Sequence, residues 1–171
     1  MSGFGKRIDL AIEVFNRTGY PLKIIGSGPE GKKLRSIARS NVEFLGWQPD
    51  EVVAKYYSNC RALIFPGEED FGIVPLEAMA SGRPVIAYRR GGALETIVPY
   101  GQKDKTGGNA PTGLFFHEQN VDSLIEAIKQ FEKIEMDFDP VAIRNHALQW
   151  DRGIFKEKVK KYIYERMGLT C

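Results

Sequence analysis

Apolar residues follow two alternating spacings along the chain, and the alternation predicts strands separated by helices. Short apolar runs predict strands at 22–25, 42–45, 62–65, 85–88 and 112–116. Apolar positions three or four residues apart predict helices at 7–16, 30–39, 49–59, 73–81, 94–98 and 121–132, then a helical tail over 141–167 that is broken near Gly153. Strands joined by helices pair in parallel, so residues 1–171 are expected to form one doubly wound α/β domain with an extra C-terminal helix.

Three of these helices show an apolar face that is expected to point into the core. The residues on these faces recur at helical spacing. They are Ile8, Ala11, Ile12 and Phe15 in the first helix, Ile73, Leu76, Ala78 and Ala80 in the fourth, and Leu124, Ile125, Ile128 and Phe131 in the sixth.

Composition and charge narrow the classes of partner. The 171 residues are 43% hydrophobic, which suffices for one real core, and the formal charge of +2 gives no strong field for nucleic acid or a membrane surface. The two cysteines, Cys60 and Cys171, give no disulfide framework, and the isolated His117 and His146 indicate no metal site. No apolar run approaches the roughly 20 residues that span a bilayer, and nothing resembles a signal peptide, so a cytoplasmic location is expected.

The most informative stretch is 67–88, where two glutamates flank the start of a predicted helix. Glu69 lies in a loop just before the Phe71-Gly72 break, and Glu77 lies about two turns into the helix. Free N–H groups and the positive dipole end of a helix N-terminus suit a phosphate, and a carboxylate suits sugar hydroxyls. The pattern predicts a nucleotide-sugar site, against the plainer interpretation of one loop acid and one solvated helix residue.

The same stretch carries a family resemblance. EDFGIVPLEAMASGRPVIA (69–87) resembles the signature of retaining GT-B glycosyltransferases, the glycosyl transferases group 1, whose C-terminal half is Rossmann-like and binds the sugar nucleotide. Segments similar to that group's follow in the same order at 5–15, 22–30, 42–47, 62–66, 91–97 and 112–116. The similarity runs from about Lys6 to about Phe155, nearly the whole chain.

The resemblance implies roles for the two glutamates and for the helix start. Glu77 is expected to bind the ribose hydroxyls, and Glu69 the hydroxyls of the donor sugar. Phe71 begins the turn, after which the backbone N–H groups of Gly72, Ile73 and Val74 would meet the distal phosphate or the sugar. The matched position of Glu69 in the family was once discussed as a nucleophile, a role that is doubtful for retaining GT-B enzymes.

Further roles follow from the same resemblance at other segments. Lys6 matches the lysine that compensates the pyrophosphate charge, with Arg7 as the alternative. Gly26 and Gly28 are expected to contact the nucleotide through their backbone, and Leu45 to line the base pocket. Trp47 either lines that pocket or caps the core, and Gly91-Gly92 is interpreted first as a structural loop.

One part of the family pattern has no counterpart. In the family a central strand ending in an Arg-Leu step precedes the lysine matched by Lys6, and residues 1–5 leave no room for it. We therefore expect a missing first strand, a missing phosphate-binding arginine, and an open slot whose unpaired backbone groups favour self-association or marginal stability. The acceptor-binding N-terminal domain is expected to be a separate segment or a separate chain.

The expected function is the donor-binding part of a retaining transferase. It would move a hexose from a nucleotide diphosphate sugar to a glycan, lipid or polysaccharide precursor, without a metal or other cofactor. Residues 138–159 resemble a mannosyl-type subgroup in polysaccharide assembly, which favours mannose and a GDP-sugar over a UDP-sugar. The chain alone is expected to bind nucleotide without transferring sugar, and the acceptor would hold the enzyme peripherally at a membrane. The alternatives are a non-catalytic subunit of a split transferase and a GT-B fold epimerase or phosphorylase.

Overall fold

A computed structural model describes residues 5–101 and 110–167 of the chain. Over these residues, helices and strands alternate up to the last strand, and further helices follow it. The elements are α1 (Ile8–Thr18), β1 (Leu22–Ile25), α2 (Gly31–Ile37), β2 (Val42–Gly46), α3 (Asp50–Asn59), β3 (Leu63–Phe65), α4 (Ile73–Ala80), β4 (Val85–Tyr88), α5 (Ala93–Thr96), β5 (Gly113–Phe116), α6 (Val121–Ile134), α7 (Pro140–Ala147) and α8 (Arg152–Met167).

The predicted strands and helices are confirmed, and the bounds of those up to α6 agree within two residues. The predicted break in the C-terminal tail, near Gly153, is confirmed. Helix α7 gives way to a 3₁₀ turn over Leu148–Trp150, and the Asp151 carboxylate accepts the Gly153 N–H at 2.7 Å, which caps the start of α8. The break therefore precedes Gly153, which lies inside α8.

The five strands form two parallel sheets rather than one continuous sheet. Strands β1 and β2 pair with Leu22 opposite Val42, and the second sheet has the order β3-β4-β5 with Val85 opposite Gly113. Among the described residues β1 has no strand partner besides β2, and β3 has none besides β4. These edges agree with the expected open slot, while self-association through them stays a prediction.

Helix α1 joins the two sheets into one core. It packs against α2 and β2 on one side and against α6, which covers β5, on the other. Its buried residues include the predicted Ala11, Ile12 and Phe15, but Ile8 is only partly buried. In α6 the buried face is Leu124, Ala127, Ile128 and Phe131, so Ala127 takes the position that was predicted for Ile125.

The predicted apolar face of α4 is confirmed for Ala78 and for Leu76, which packs half-buried against the core, but not for Ile73 and Ala80. The buried residues are Pro75, Ala78 and Met79, whereas Ile73 is 63% exposed. Ala80 is also exposed. Nearly every residue of this helix is apolar, so spacing alone did not distinguish the side that packs on α7, β3 and β4 from the side that faces solvent.

Candidate functional site

The acidic loop, residues Glu68–Phe71, lies beyond the carboxyl end of β3 and is fixed by the loop before α5. The Glu69 carbonyl accepts the Gly92 N–H at 2.8 Å. A Cβ atom added to Gly92 would lie 2.5 Å from the Asp70 carbonyl oxygen and 2.6 Å from the Phe71 Cα, both backbone atoms. Only glycine fits at this contact, so the structural interpretation of Gly91-Gly92 agrees with the geometry.

The N-terminus of α4 presents free hydrogen-bond donors beside this loop. Gly72 is the N-cap residue with φ 79° and ψ 70°, a left-handed conformation that favours glycine. The described residues supply no acceptor for the N–H groups of Ile73 and Val74, and Pro75 has no N–H. The positive end of the helix dipole and two unused donors therefore lie next to Glu69.

The segment that enters α1 passes the same end of β3. A Cβ atom on Gly67 would lie 2.9 Å from the Lys6 Cα, so the two backbones are in direct contact. Among the described residues Arg7 is the only non-glycine residue with a left-handed φ, of 50°. Such a conformation costs about 1–2 kcal/mol and must be held by its surroundings.

The side chains of Arg7 and Gln119 hold this segment in place. The Arg7 guanidinium pairs with Asp9 at 3.2 Å and reaches the Gln119 amide oxygen at 3.4 Å. The Gln119 amide nitrogen donates to the Pro66 carbonyl at 2.9 Å. Within the described part of the chain Lys6 forms no ion pair and is exposed.

Glu77 lies on the exposed side of α4 and is held by a neighbouring helix. The Tyr57 hydroxyl, on α3, donates to the Glu77 Oε2 atom at 3.3 Å. Burial raises the pKa of the Tyr57 hydroxyl, and the negative Glu77 carboxylate raises it further, so the hydroxyl stays protonated and remains a donor. One carboxylate oxygen is thus engaged within the protein, and the other is left for a ligand.

The remaining predicted residues lie at the carboxyl ends of β1 and β2. The Gly26 N–H donates to the Gly46 carbonyl at 2.7 Å, which ties the two strand ends together. Gly28 is exposed and Leu45 is half-buried. Trp47 is 75% exposed, so it does not cap the core, and the alternative of a ligand-facing side chain is the one left open.

The structure gathers the predicted residues into two groups. Lys6, Glu69 and the α4 N-terminus form one group around the end of β3. Gly26, Gly28 and Leu45 belong to the separate β1–β2 sheet, and the Tyr57–Glu77 hydrogen bond, between α3 and α4, connects the sheets.

Three residues near the site had no signal in the sequence. Tyr57 supports Glu77, Gln119 connects Arg7 to the end of β3, and His146 contacts α5. The first two pairs are 20 and 53 residues apart in sequence, and no local spacing marks them. They become neighbours only when the helices and loops between the strands pack against one another.

Across residues 5–101 and 110–167, no group of three or more His, Cys, Asp or Glu side chains is placed to hold a metal ion. No described helix is both long and apolar enough to cross a membrane.

Comparison with known proteins identifies the family. The family model "Glycosyl transferases group 1" matches residues 4–149. The chain belongs to this family. The expected resemblance is thereby confirmed over most of the sequence.

Individual relatives agree with the family match. A glycosyltransferase of Methanocaldococcus jannaschii is 30% identical over 170 residues, which is 91% of this chain and 40% of that protein. The alpha-1,3/1,6-mannosyltransferase ALG2 of Candida glabrata is 30% identical over 133 residues, 77% of this chain and 26% of the relative. The chain thus spans less than half the length of these curated relatives.

A similar solved structure supports the fold. The crystal structure of Anabaena HepE in complex with UDP-glucose superimposes with a TM-score of 0.75 at 20% identity, covering 96% of this chain and 46% of HepE. At this identity the likeness bears on the fold alone. It agrees with the expected α/β architecture of parallel sheets and flanking helices.

Proposed function

We propose that this chain is the donor-binding part of a glycosyltransferase and binds a nucleotide diphosphate sugar. The observation that carries the proposal is the meeting of three features at the end of β3: the free N–H groups of α4, the unpaired Lys6 and the acidic loop with Glu69. A longer or two-chain enzyme would then move a hexose to a glycan, lipid or polysaccharide precursor.

The phosphates would be bound by the α4 N-terminus and Lys6. The N–H groups of Ile73 and Val74 and the dipole of α4 would face the distal phosphate, and the Lys6 ammonium would offset its charge. These groups are already in place before the reaction, so they would stabilise the nucleoside diphosphate as it leaves. We propose this leaving-group stabilisation, without a metal, as the main chemical contribution of the chain.

Sugar binding falls to the two carboxylates. Glu77 would accept hydrogen bonds from the ribose cis-diol, with its orientation held by Tyr57. Glu69 would accept from hydroxyls of the donor sugar, at a backbone position fixed by Gly92. Since Glu69 binds rather than attacks in this proposal, retention at the anomeric carbon would come from a front-face path.

The donor is proposed to be a GDP-sugar with a mannose-type hexose, rather than a UDP-sugar. Support comes from the resemblance of residues 138–159 to mannosyl-type enzymes and from the 30% identity to the ALG2 mannosyltransferase over 77% of this chain. The HepE structure holds UDP-glucose, which is the competing donor class. A direct comparison of nucleotides is therefore the first experiment.

A second candidate is a non-catalytic nucleotide-sugar-binding subunit of a split transferase. The edges of β1 and β3, which have no strand partner within residues 5–101 and 110–167, favour it, since a partner chain would cover them. Both candidates require nucleotide binding, and a transfer assay on the chain alone and with a partner distinguishes them.

The test is a thermal-shift series with GDP, UDP, ADP and their sugar forms. A ligand at about 100 times its dissociation constant adds about 2.7 kcal/mol to stability, which raises the melting temperature by about 5–10 °C in a domain of this size. We expect the largest shift with GDP or GDP-mannose. The shift should be lost in Glu77→Ala.

Glu126→Ala is the matched control, because Glu126 is also an exposed helical glutamate but lies on α6. Its nucleotide shift should equal that of the parent chain. Absence of a shift with every nucleotide would contradict the proposed site, and a shift unchanged by Glu77→Ala would contradict the role of Glu77.

A further inference from the structure

His146 is a buried polar side chain with one specific partner. It lies in the last turn of α7, is 8% exposed, and its Nε2 atom lies 2.8 Å from the Thr96 carbonyl oxygen. A carbonyl oxygen can only accept, so the Nε2 atom carries the proton. The ring also packs on Trp150 at a centroid distance of 4.9 Å.

This contact begins a series of hydrogen bonds that ends at the acidic loop. The Thr96 side chain is fully buried, and its hydroxyl donates to the Gly92 carbonyl at 3.1 Å. The Gly92 N–H in turn donates to the Glu69 carbonyl at 2.8 Å. Three bonds therefore join α7, α5 and the acidic loop in order.

Helix α5 has too little structure of its own to fix that loop. It is only four residues long, and a single helical turn is not stable in isolation. Its position therefore depends on its contacts, which are the core around its buried residues Ala93 and Thr96, helix α4, His146 at the C-terminal end and the acidic loop at the N-terminal end. Helix α7 is itself anchored, because it packs against α4.

The contact between Gly92 and the acidic loop is tightly packed. The backbone of Gly92 approaches Asp70 and Phe71 so closely that even a methyl group would overlap with both. A small shift of α5 must then displace the loop or break the Gly92–Glu69 hydrogen bond. A shift of Thr96 in α5 is therefore expected to move the backbone of Glu69.

We propose that His146 is a positioning residue for the donor site, which sets the backbone of the Glu69 loop through Thr96 and Gly92. Its effect on ligand binding rests on the proposed function, whereas its effect on the loop does not. His146 touches no ligand in this proposal.

Two variants remove single bonds from the series. His146→Phe keeps a planar ring against Trp150 but loses the donor, and His146→Gln keeps an N–H donor near the same position. Thr96→Val loses only the hydroxyl. Its matched control is Thr18→Val, because the Thr18 hydroxyl makes the same kind of bond, to the Val14 carbonyl at 3.1 Å, in α1.

The first readout is amide hydrogen exchange of Gly92, referred to the buried Val85 amide, which bonds to Thr112 at 3.1 Å in the core. The ratio corrects for a change in overall stability. We expect His146→Phe and Thr96→Val to speed Gly92 exchange about tenfold relative to Val85, and His146→Gln and Thr18→Val to leave the ratio unchanged.

The second readout is the affinity for GDP, measured by calorimetry. Coupling through such contacts changes affinity by about 2- to 30-fold, so we expect a loss of about fivefold in His146→Phe and Thr96→Val only. An unchanged Gly92-to-Val85 ratio in both variants overturns the positioning role. If the parent chain binds no GDP, the proposed function fails while the exchange ratio still decides the role of His146. Should His146→Phe not fold, Thr96→Val alone decides it.

Discussion

The two sheets of this molecule are packed very differently. In β4 the residues Val85, Ile86 and Ala87 are all buried, and α6 buries four residues beside that sheet. In β1 no residue is fully buried, and neither α2 nor α3 buries any residue. The β3–β4–β5 region is thus a complete core, whereas the β1–β2 region is a partly covered layer attached through α1.

The residues of the candidate site come from both regions. Glu69 and the α4 N-terminus come from the well-packed region, where Gly92 and His146 fix the backbone. Gly26 and Leu45 come from the thinly packed region. Under the proposed function, the groups for phosphate and sugar would be preset, while the groups for the nucleoside would be held less firmly and would gain order from the ligand.

Matched core substitutions test the comparison with the largest expected effect. Ile86→Ala in β4, where Ile86 is 1% exposed, is expected to lower the free energy of unfolding by about 4 kcal/mol. Ile24→Ala in β1, where the side chain is only half-buried, should cost about 1 kcal/mol. Urea denaturation of both variants measures the two losses.

Equal losses of unfolding free energy in the two variants would contradict the claim that the two sheets are packed differently. A loss that comes with a changed m-value would mean that the unfolding transition no longer involves the same surface. In that case the two regions would have to be followed by separate probes.

A smaller effect is expected from removing the Tyr57–Glu77 hydrogen bond, which connects the two regions. Tyr57→Phe removes the hydrogen bond that orients Glu77, and we expect the loss of this orientation to weaken nucleotide binding about fivefold, or by about 1 kcal/mol. Tyr56→Phe is the control, because Tyr56 lies on the same helix and its hydroxyl donates to no described carboxylate. Calorimetry with GDP gives both affinities. An equal loss in the two variants would assign the effect to α3 as a whole rather than to Glu77.

The sequence predicts the order of elements well because each strand and helix is specified locally. The break near Gly153 was predicted, and the Asp151 side chain caps α8 at that point. Ile73 and Ala80 were wrongly assigned to the buried face of α4, because a uniformly apolar helix does not reveal which side meets α7. Local patterns therefore determined the elements but not every contact between them.

The local motif of the candidate site was predictable from the sequence, but the residues that support it were not. Glu69, Glu77 and the α4 N-terminus follow from a local motif and from the placement of strand ends. The supports of that motif, Tyr57 and His146, arise from contacts between distant elements and have no local signature. Only the three-dimensional structure shows these contacts.

The most direct test of the central claim is amide hydrogen exchange of the whole chain with and without GDP. The account predicts new protection at the N–H groups of Ile73 and Val74, which are free in the unliganded chain, and at Gly26–Gly28 in the thinly packed region. Protection of both segments would show a nucleotide bound between the two regions. Binding of GDP with protection elsewhere, and none at Ile73 or Val74, would contradict the account.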